Sequence, residues 1–441
     1  MKNILALLLA FCGVLYASYS RIESMGKTDF YFEDDMNMFV NPANMALHSS
    51  FIFGELGTTM TDSALITDPY VIRETAYNPW FGGVFSKDLK NESRFSVGMA
   101  FNRDDKWVSL MNGIIDLANT DTVFKDNSGI GPMLPKVINK VDLAIAYRHP
   151  SRFSVGALIY GGANRDNQTQ ISVAENYSKR EAFMVKGILG VTKHFMNNFF
   201  LEGSFGTSVH DFTYRSFDQT LQVKPRKGLN LFGHLRMFVP LSDRFSLVPV
   251  ANFEQVLQGH QFTDIGDVDS VLAANDVNDY LDVSGGFGFN FFEAEKKTQF
   301  IFGMDGHFLK AQNDRTITVN GAAPPDGGYS GGKSEDLYGV FTFGIERQLY
   351  WNWLVVRAGG RKVFGISRTV TTTTSKIEQM WENPATNNSR SDLIGVGLGV
   401  NFLRKLQLDF TLSEDIPYSI LYVVSGVSGN VFTRFSCSYY F

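Results

Sequence analysis

The stretch Ile394-Gly-Val-Gly-Leu-Gly-Val-Asn-Phe402, the break Leu403-Arg-Lys405, and the run Leu406-Gln-Leu-Asp-Phe-Thr-Leu412 decide how this chain is read. Apolar residues occupy every second position on both sides of a three-residue turn. That period of two belongs to β-strands, whose successive side chains point to opposite faces. One face is wholly apolar, while the other carries glycine, Asn401, Gln407, Asp409 and Thr411. An antiparallel pair of this kind suits a wall with lipid outside and a polar lumen inside.

The same pattern recurs upstream. Phe95, Val97, Met99 and Phe101 alternate with Ser96, Gly98, Ala100 and Asn102. Val283, Phe287, Phe289 and Phe291 alternate with Ser284, Gly286, Gly288 and Asn290. Short turns fall at Lys87–Ser93, His149–Arg152, Phe195–Asn198, Pro240–Arg244, Glu293–Lys297, Gln348–Asn352 and Leu403–Lys405. Between them lie long polar connections: Thr58–Asn78, Arg103–Asn139, Ala163–Glu181, Asp211–Lys227, Glu254–Asp279, Ala311–Glu335, Gly365–Ser391 and Asp415–Asn430. Short turns on one rim and long loops on the other are characteristic of transmembrane β-barrels, with the long set outside the cell. The spacing predicts an all-β, antiparallel barrel of about sixteen strands, with fourteen as the alternative. The first strand is expected around Ser50–Gly57.

Composition agrees: 39 Phe and 41 Gly in 441 residues are an unusual pairing for a soluble enzyme. No apolar run beyond the N-terminus approaches the ~18–20 residues of a membrane-spanning helix. A net charge of -5, with no basic block, argues against a nucleic-acid partner.

The N-terminus reads as a secretion signal over residues 1–17. Lys2 supplies the positive start, Ile4 to Leu15 the apolar stretch, and Ala17 the cleavage point. Processing ahead of Cys12 would place the bulky Phe11 at the junction, against the usual lipoprotein pattern. Removal of residues 1–17 leaves Cys437 as the single cysteine, so no internal disulfide is expected.

The organisation expected is therefore a signal at 1–17, an N-terminal hatch or plug at 18–49, and the barrel at 50–441. The middle segment does not alternate; it holds Met25-Gly26, Asp34-Asp35 and Asn41-Pro42-Ala43-Asn44-Met45-Ala46. Pro42 fixes its own φ and pushes Asn41 into an extended conformation, as a sharp turn into the wall requires. A plain turn before the first strand would need no more than this.

These elements resemble the start of the FadL-like long-chain fatty-acid transporter superfamily, including its PorV-like branch that serves type IX secretion. Members carry a luminal hatch with a Met-Gly element, an acidic pair and Asn-Pro-Ala-Gly-Leu-Ala before the first strand. Here Asn44-Met45-Ala46 replaces Gly-Leu-Ala. The resemblance covers about 25 residues and implies a fourteen-stranded barrel gated by Asn41, Pro42 and Ala43. It implies uptake of hydrophobic small molecules or, alternatively, a role as an anchor or component of protein secretion. A purely structural or adhesive role is a third reading. The end of the chain, with Phe435, Tyr439 and Phe441 on one face, resembles the C-terminal signal read by barrel-assembly machineries. It implies an outer-membrane location, with contact to lipid and lipopolysaccharide.

Alternation places charges of both signs in the lumen: Arg236, Asp305, Glu346, Arg357, Arg361 and Asp409, with Asp142, Arg148, Lys186 and Glu202 as further candidates. Ion pairs bracing the wall or holding a plug are expected, ahead of a charged constriction that selects a solute. No catalytic constellation stands out, and no Gly-x-Ser-x-Gly element marks a nucleophile. His48, His194, His234 and His307 are too scattered to suggest a metal site, and no cofactor is expected. The acidic stretch from Asp264 to Asp279 could gather calcium, but it lacks the glycine and distal glutamate of an EF-hand, so a solvated loop is expected. Val108–Leu117 has apolar residues near helical spacing and is expected to form a short amphipathic helix at the mouth, with Met111, Ile114, Ile115 and Leu117 facing either a hydrophobic ligand or neighbouring loops.

Overall fold

In the computed structural model the residues described are 19–56, 79–119, 124, 133–169, 177–195, 199–216, 218, 220–265, 271–293, 297–322, 328–350, 353–373, 376–382, 393–402, 405–412 and 432–441. The expected signal at 1–17 and the connections Thr58–Asn78 and Asp415–Asn430 lie outside them.

Seventeen strand segments follow one another: β1 Phe51–Leu56, β2 Trp80–Asp88, β3 Arg94–Phe101, β4 Asn139–His149, β5 Phe153–Thr169, β6 Tyr177–His194, β7 Phe200–Arg215, β8 Leu221–Ser242, β9 Phe245–Ile265, β10 Val271–Phe292, β11 Thr298–Val319, β12 Tyr329–Gln348, β13 Leu354–Thr373, β14 Ile377–Glu382, β15 Leu393–Phe402, β16 Leu406–Leu412 and β17 Phe432–Tyr440. Each pairs antiparallel with its sequence neighbour, except that β14 and β15 lie end to end along β13. The wall therefore has sixteen staves. β1 closes it, pairing with β2 on one side and with β17 on the other, where Phe51 faces Tyr440 and Ile52 faces Tyr439. Closure leaves no edge to present bare N–H and C=O groups to lipid. Sixteen is one hairpin more than the family resemblance implies.

The wall is inside out relative to a soluble protein. Along β6, Phe183, Val185, Leu189 and Val191 face outward, while Met184, Ile188 and Thr192 are buried against the contents of the lumen. Leu143 and Ile145 on β4, Phe205 and Val209 on β7, and Phe341 and Phe343 on β12 continue the outer apolar face. From Val191 to Phe183 this face spans nine residues, the length a tilted strand needs to cross a bilayer. The fold is thus a transmembrane antiparallel barrel.

The short turns lie as expected, but several long connections are shorter than the sequence indicates. β8, β10 and β11 each run 22 residues, about twice the ~9–11 needed to cross lipid. The expected loops at Ala163–Glu181, Asp211–Lys227, Glu254–Asp279 and Ala311–Glu335 are largely strand that rises past the membrane. Their polar composition reflects strands with water on both faces, not absence of structure. The acidic stretch is corrected in the same way: Asp264 ends β9, while Asn275, Asp276, Asn278 and Asp279 belong to β10. Along β10 these side chains alternate between faces, while Asp267 and Asp269 lie outside the described residues. No group of three or more metal-ligating side chains is found among the described residues.

Among the described residues, two pieces of chain fill the lumen. The first is the N-terminal segment, with helix α1 (Tyr19–Ser24) and three 3-10 turns at Asp29–Tyr31, Asp35–Phe39 and Pro42–Leu47. The second is the connection from β3 to β4, carrying helix α2 (Lys106–Asn119). Both sit in a single hydrophobic cluster with the inner wall, which includes Met25, Phe32, Met45, Trp107, Met111 and Ile115.

Candidate functional site: the luminal segment and its anchors

The N-terminal segment is shaped by local capping. Gly26 takes a φ of +72° and ends α1, where Lys27 N–H bonds to Ile22 O at 2.9 Å. Glycine adopts that conformation without a Cβ penalty, and a Cβ here would also meet Gly360 N of β13 at 2.5 Å. Asp34 caps the second turn, accepting from Met36 N–H at 3.0 Å. Asn41 caps the third, accepting from Ala43 N–H at 3.2 Å, with Pro42 in the first helical position. Its backbone is extended, at φ -128° and ψ 98°, as a residue preceding proline should be. All three elements quoted from the sequence are turn-forming devices.

They are also docking devices. Asn41 Nδ2 donates to Val191 O at 3.1 Å and to Thr192 Oγ1 at 3.0 Å, both on β6. Asn44 Nδ2 donates to Glu202 Oε2 on β7 at 2.6 Å, and Thr192 Oγ1 donates to Asn44 Oδ1 at 2.8 Å. Asn44, where the resemblance implies glycine, is therefore a wall anchor. Glu202 also pairs with Arg236 on β8, both side chains being buried. Arg236 Nη1 in turn donates to the carbonyls of Asp29, Phe30 and Phe32 at 2.9, 3.2 and 3.0 Å.

The opposite side of the lumen is tied by a second network. Arg21 meets Glu346 of β12 through both carboxylate oxygens, at 2.8 and 3.0 Å, and Asp34 at 3.1 Å. Arg357 on β13 bonds Glu346 and Asp409 of β16, each at 2.5 Å. A third tie runs from Tyr31 OH to Asp305 on β11 at 2.6 Å. His307 lies between Asp305 at 2.6 Å and Asp282 at 3.2 Å, stacked on Tyr338. Arg434 on β17 pairs with Glu23 at 2.7 Å, and Tyr440 donates to Asp35. Charge-assisted bonds of this type are the strong ones.

Of the luminal charges read from alternation, Arg236, Asp305 and Glu346 therefore tie wall to segment, while Arg357 and Asp409 brace Glu346 from within the wall. Asp142 pairs with Arg103 at 2.7 Å and Lys186 with Asp105 at 2.7 Å, which brings them to the second luminal piece. Arg361 stands apart: it lies on the inner face of β13 opposite Thr342, with no ion pair among the described residues. The segment's own partners, Arg21, Tyr31 and Asn44, could not be found by strand alternation because they lie in non-alternating chain. Wall glycines make the fit possible. A Cβ on Gly190 would fall 2.0 Å from Asn41 Oδ1, one on Gly156 2.4 Å from Pro42, and one on Gly303 1.9 Å from the Tyr31 ring.

Helix α2 lies against the inner wall as a second layer. Asp105 caps it, accepting from Trp107 N–H at 3.0 Å. Burial would raise its pKa, but Lys186 and Arg103 outweigh that and hold the carboxyl at about 2. Lys106 and Trp107 both bond Glu254 on β9, which also accepts from Tyr280 OH at 2.9 Å. The Trp107 ring meets Phe232 edge-on at 5.1 Å, and Phe124 stacks on Phe262 at 5.0 Å. The helix expected from Val108–Leu117 is present, extended by a few residues at each end. Met111 and Ile115 are packed into the core.

No protein-family model matches the sequence, and no curated protein matches it. Among solved structures, the chain is similar to the ferric yersiniabactin uptake receptor FyuA from Yersinia pestis, with 7% identity and a TM-score of 0.36, over 88% of this chain and 79% of that one. It is similar to the pyoverdine-binding FpvA of P. aeruginosa at 8% identity and TM-score 0.28, over 82% of this chain and 64% of that one. The siderophore receptor PiuA from Acinetobacter baumannii gives 8% identity and TM-score 0.29, over 82% and 71% of the two chains. This chain spans less than two thirds of FpvA.

Proposed function

We propose that this protein is an outer-membrane channel for small hydrophobic molecules, related to the FadL-like superfamily, in which residues 18–49 act as the hatch. The observation that carries this reading is the luminal segment itself. It occupies the short-turn end of the barrel and, apart from its continuation into β1, is held by polar ties to at least five strands and not by a continuous sheet. Such a plug closes the barrel yet can be released by competing for discrete bonds. In this reading Asn41, Pro42 and Ala43 belong to the gate, and Phe435 and Tyr439 on the closing strand, with Phe441 just past its end, serve as the assembly signal.

The decisive measurement is entry of a radiolabelled fatty acid or aromatic hydrocarbon into cells carrying the intact protein or a variant lacking residues 20–45. A changed rate is expected; identical uptake by the two, with both present in the outer membrane, overturns the proposal. A second reading, an anchor for secreted proteins, is favoured by the strands that rise past the membrane as a rigid wall. It predicts that pull-downs from cross-linked cells retrieve secretion-machinery subunits, and recovery of the barrel alone counts against it.

A further inference from the structure

We propose that His307 is a proton-operated latch on the luminal segment: doubly protonated, it holds the anchor of Tyr31 in place, and loss of one proton frees the turn Asp29–Tyr31. The inference rests on the reading of residues 18–49 as a hatch and adds its control. The geometry around the ring carries it. Nε2 lies 2.6 Å from Asp305 Oδ2 on the same strand, and Nδ1 lies 3.2 Å from Asp282 Oδ1 on β10. A neutral imidazole has one N–H and one lone pair, so both carboxylates receive a donor only from the imidazolium. Stacking on Tyr338, with centroids 4.6 Å apart and planes 6° apart, holds the ring plane that aims one nitrogen at each carboxylate.

Asp305 joins this ring to the segment. Its Oδ2 faces His307, while its Oδ1 accepts from Tyr31 OH at 2.6 Å. The Tyr31 ring sits as a bolt in a notch of the wall: a Cβ on Gly303 would fall 1.9 Å from it, and one on Gly288 2.2 Å. Deprotonation of His307 leaves a lone pair facing one carboxylate and removes the positive charge between Asp282 and Asp305. The two carboxylates then repel, and the Asp305 side chain leaves the position that the Tyr31 hydroxyl needs. The latch is therefore closed at acidic pH and opens as pH rises through the titration of the ring.

Other charged groups surround the latch. On β9, Glu254 lies opposite Asp282 and is held by Lys106, Trp107 and Tyr280. Lys106 is also within electrostatic reach of Asp282. On β12, Asp336 lies two residues from Tyr338 and accepts from Ser367 Oγ at 2.5 Å. Asp29 of the segment and Arg361 of β13 act on Tyr31 through space. Burial raises the pKa of Asp29, so its titration is tested separately. Two more histidines face the segment: His234, bonded to Asn252 and 5.6 Å from the Phe30 ring, and His48, 3.1 Å from Asp35. Their bonds lie away from Asp305, which makes them internal controls.

The test uses the full barrel in phosphatidylcholine nanodiscs. Hydrogen exchange over residues 28–33 is read by mass spectrometry from about pH 5.5 to about pH 8.5, spanning the histidine range, and corrected for the intrinsic pH dependence of exchange. Wild-type exchange is expected to quicken roughly tenfold across that range, as the loss of one charge-assisted bond implies. H307Q is expected to exchange fast at every pH, and so is Y31F, which keeps the ring and loses the hydroxyl. H234Q, H48Q and D29N should keep the wild-type step; its loss in one of them assigns it to that group and overturns the latch. A wild type without a step, or a step that survives in H307Q, overturns it equally. Should H307Q fail to fold, judged by heat-modifiable electrophoretic mobility, Y31F decides alone, and a full step there sinks the proposal. The measurement needs no solute, so uptake that is indifferent to residues 20–45 would overturn the transport reading and leave this result unaffected.

Discussion

At the scale of single residues, the lumen is organised by side chains whose partners are far away in sequence. Arg236 serves Glu202 and three backbone carbonyls of the segment. Replacing it with alanine leaves a buried carboxylate and those carbonyls without their cation, a loss on the order of 3–5 kcal/mol. The expected outcome of Arg236→Ala is faster hydrogen exchange over residues 29–47 with the barrel strands unchanged. Uniform protection in both regions would show that the tie contributes nothing. Asn44→Gly restores the residue that the family resemblance implies and removes the bonds to Glu202 and Thr192. A smaller loosening is expected, about 1–3 kcal/mol for hydrogen bonds involving a charged group, measured as increased protease cleavage after residue 40. These anchors show why alternation found the wall charges and not their partners. Asp305, Glu346 and Arg357 lie on strands, where position gives direction, whereas Tyr31 and Arg21 lie in turns, where it does not.

Among the elements, α2 depends on an ionised cap. The Asp105 carboxyl is held at about 2 by Lys186 and Arg103 against the effect of its burial, below the ~3.9 of a free aspartate. A depressed carboxylate stabilises the folded form above its unfolded pKa and ceases to do so as pH falls through the folded value. Hydrogen exchange over residues 106–119 is therefore expected to accelerate between about pH 4 and pH 2. Asp105→Asn should keep the cap but remove this pH step; an unchanged step in that variant would assign it to another group. The segment–wall contact is equally specific. Gly190→Val would place atoms where Asn41 Oδ1 lies, 2.0 Å from the Cβ position, so the third turn must leave the wall. Expulsion is expected to show as a protease-accessible segment on an otherwise heat-modifiable barrel; a protected segment would mean that β6 yields instead. The helix was legible from apolar spacing, since Met111 and Ile115 do face the core. Its position inside the barrel was not, because spacing describes a face and says nothing of what meets it.

For the molecule as a whole, the barrel is a closed wall around two layers of its own chain. Deleting residues 20–45 should leave sixteen staves folded, because closure is made by β1, β2 and β17, and should raise single-channel conductance in planar bilayers well above that of the intact protein. Unchanged conductance would show that α2 and its connection close the lumen by themselves. What the sequence determined alone was the wall: alternation, turn spacing and the terminal aromatic strand rest on local geometry, and a period of two decides a strand's faces wherever it sits. The sixteen staves follow from that. Tertiary structure alone decided how far the strands extend and what fills them. A polar stretch such as Asp264–Asp279 reads identically as a loop or as a strand wetted on both faces, and only pairing with β8 and β11 separates the two. Likewise the run 394–412, where the fold was first legible, contains Asp409 as one inward charge among many. Its meeting with Arg357, and through Glu346 with Arg21, is a matter of cross-lumen distance, which no one-dimensional spacing encodes.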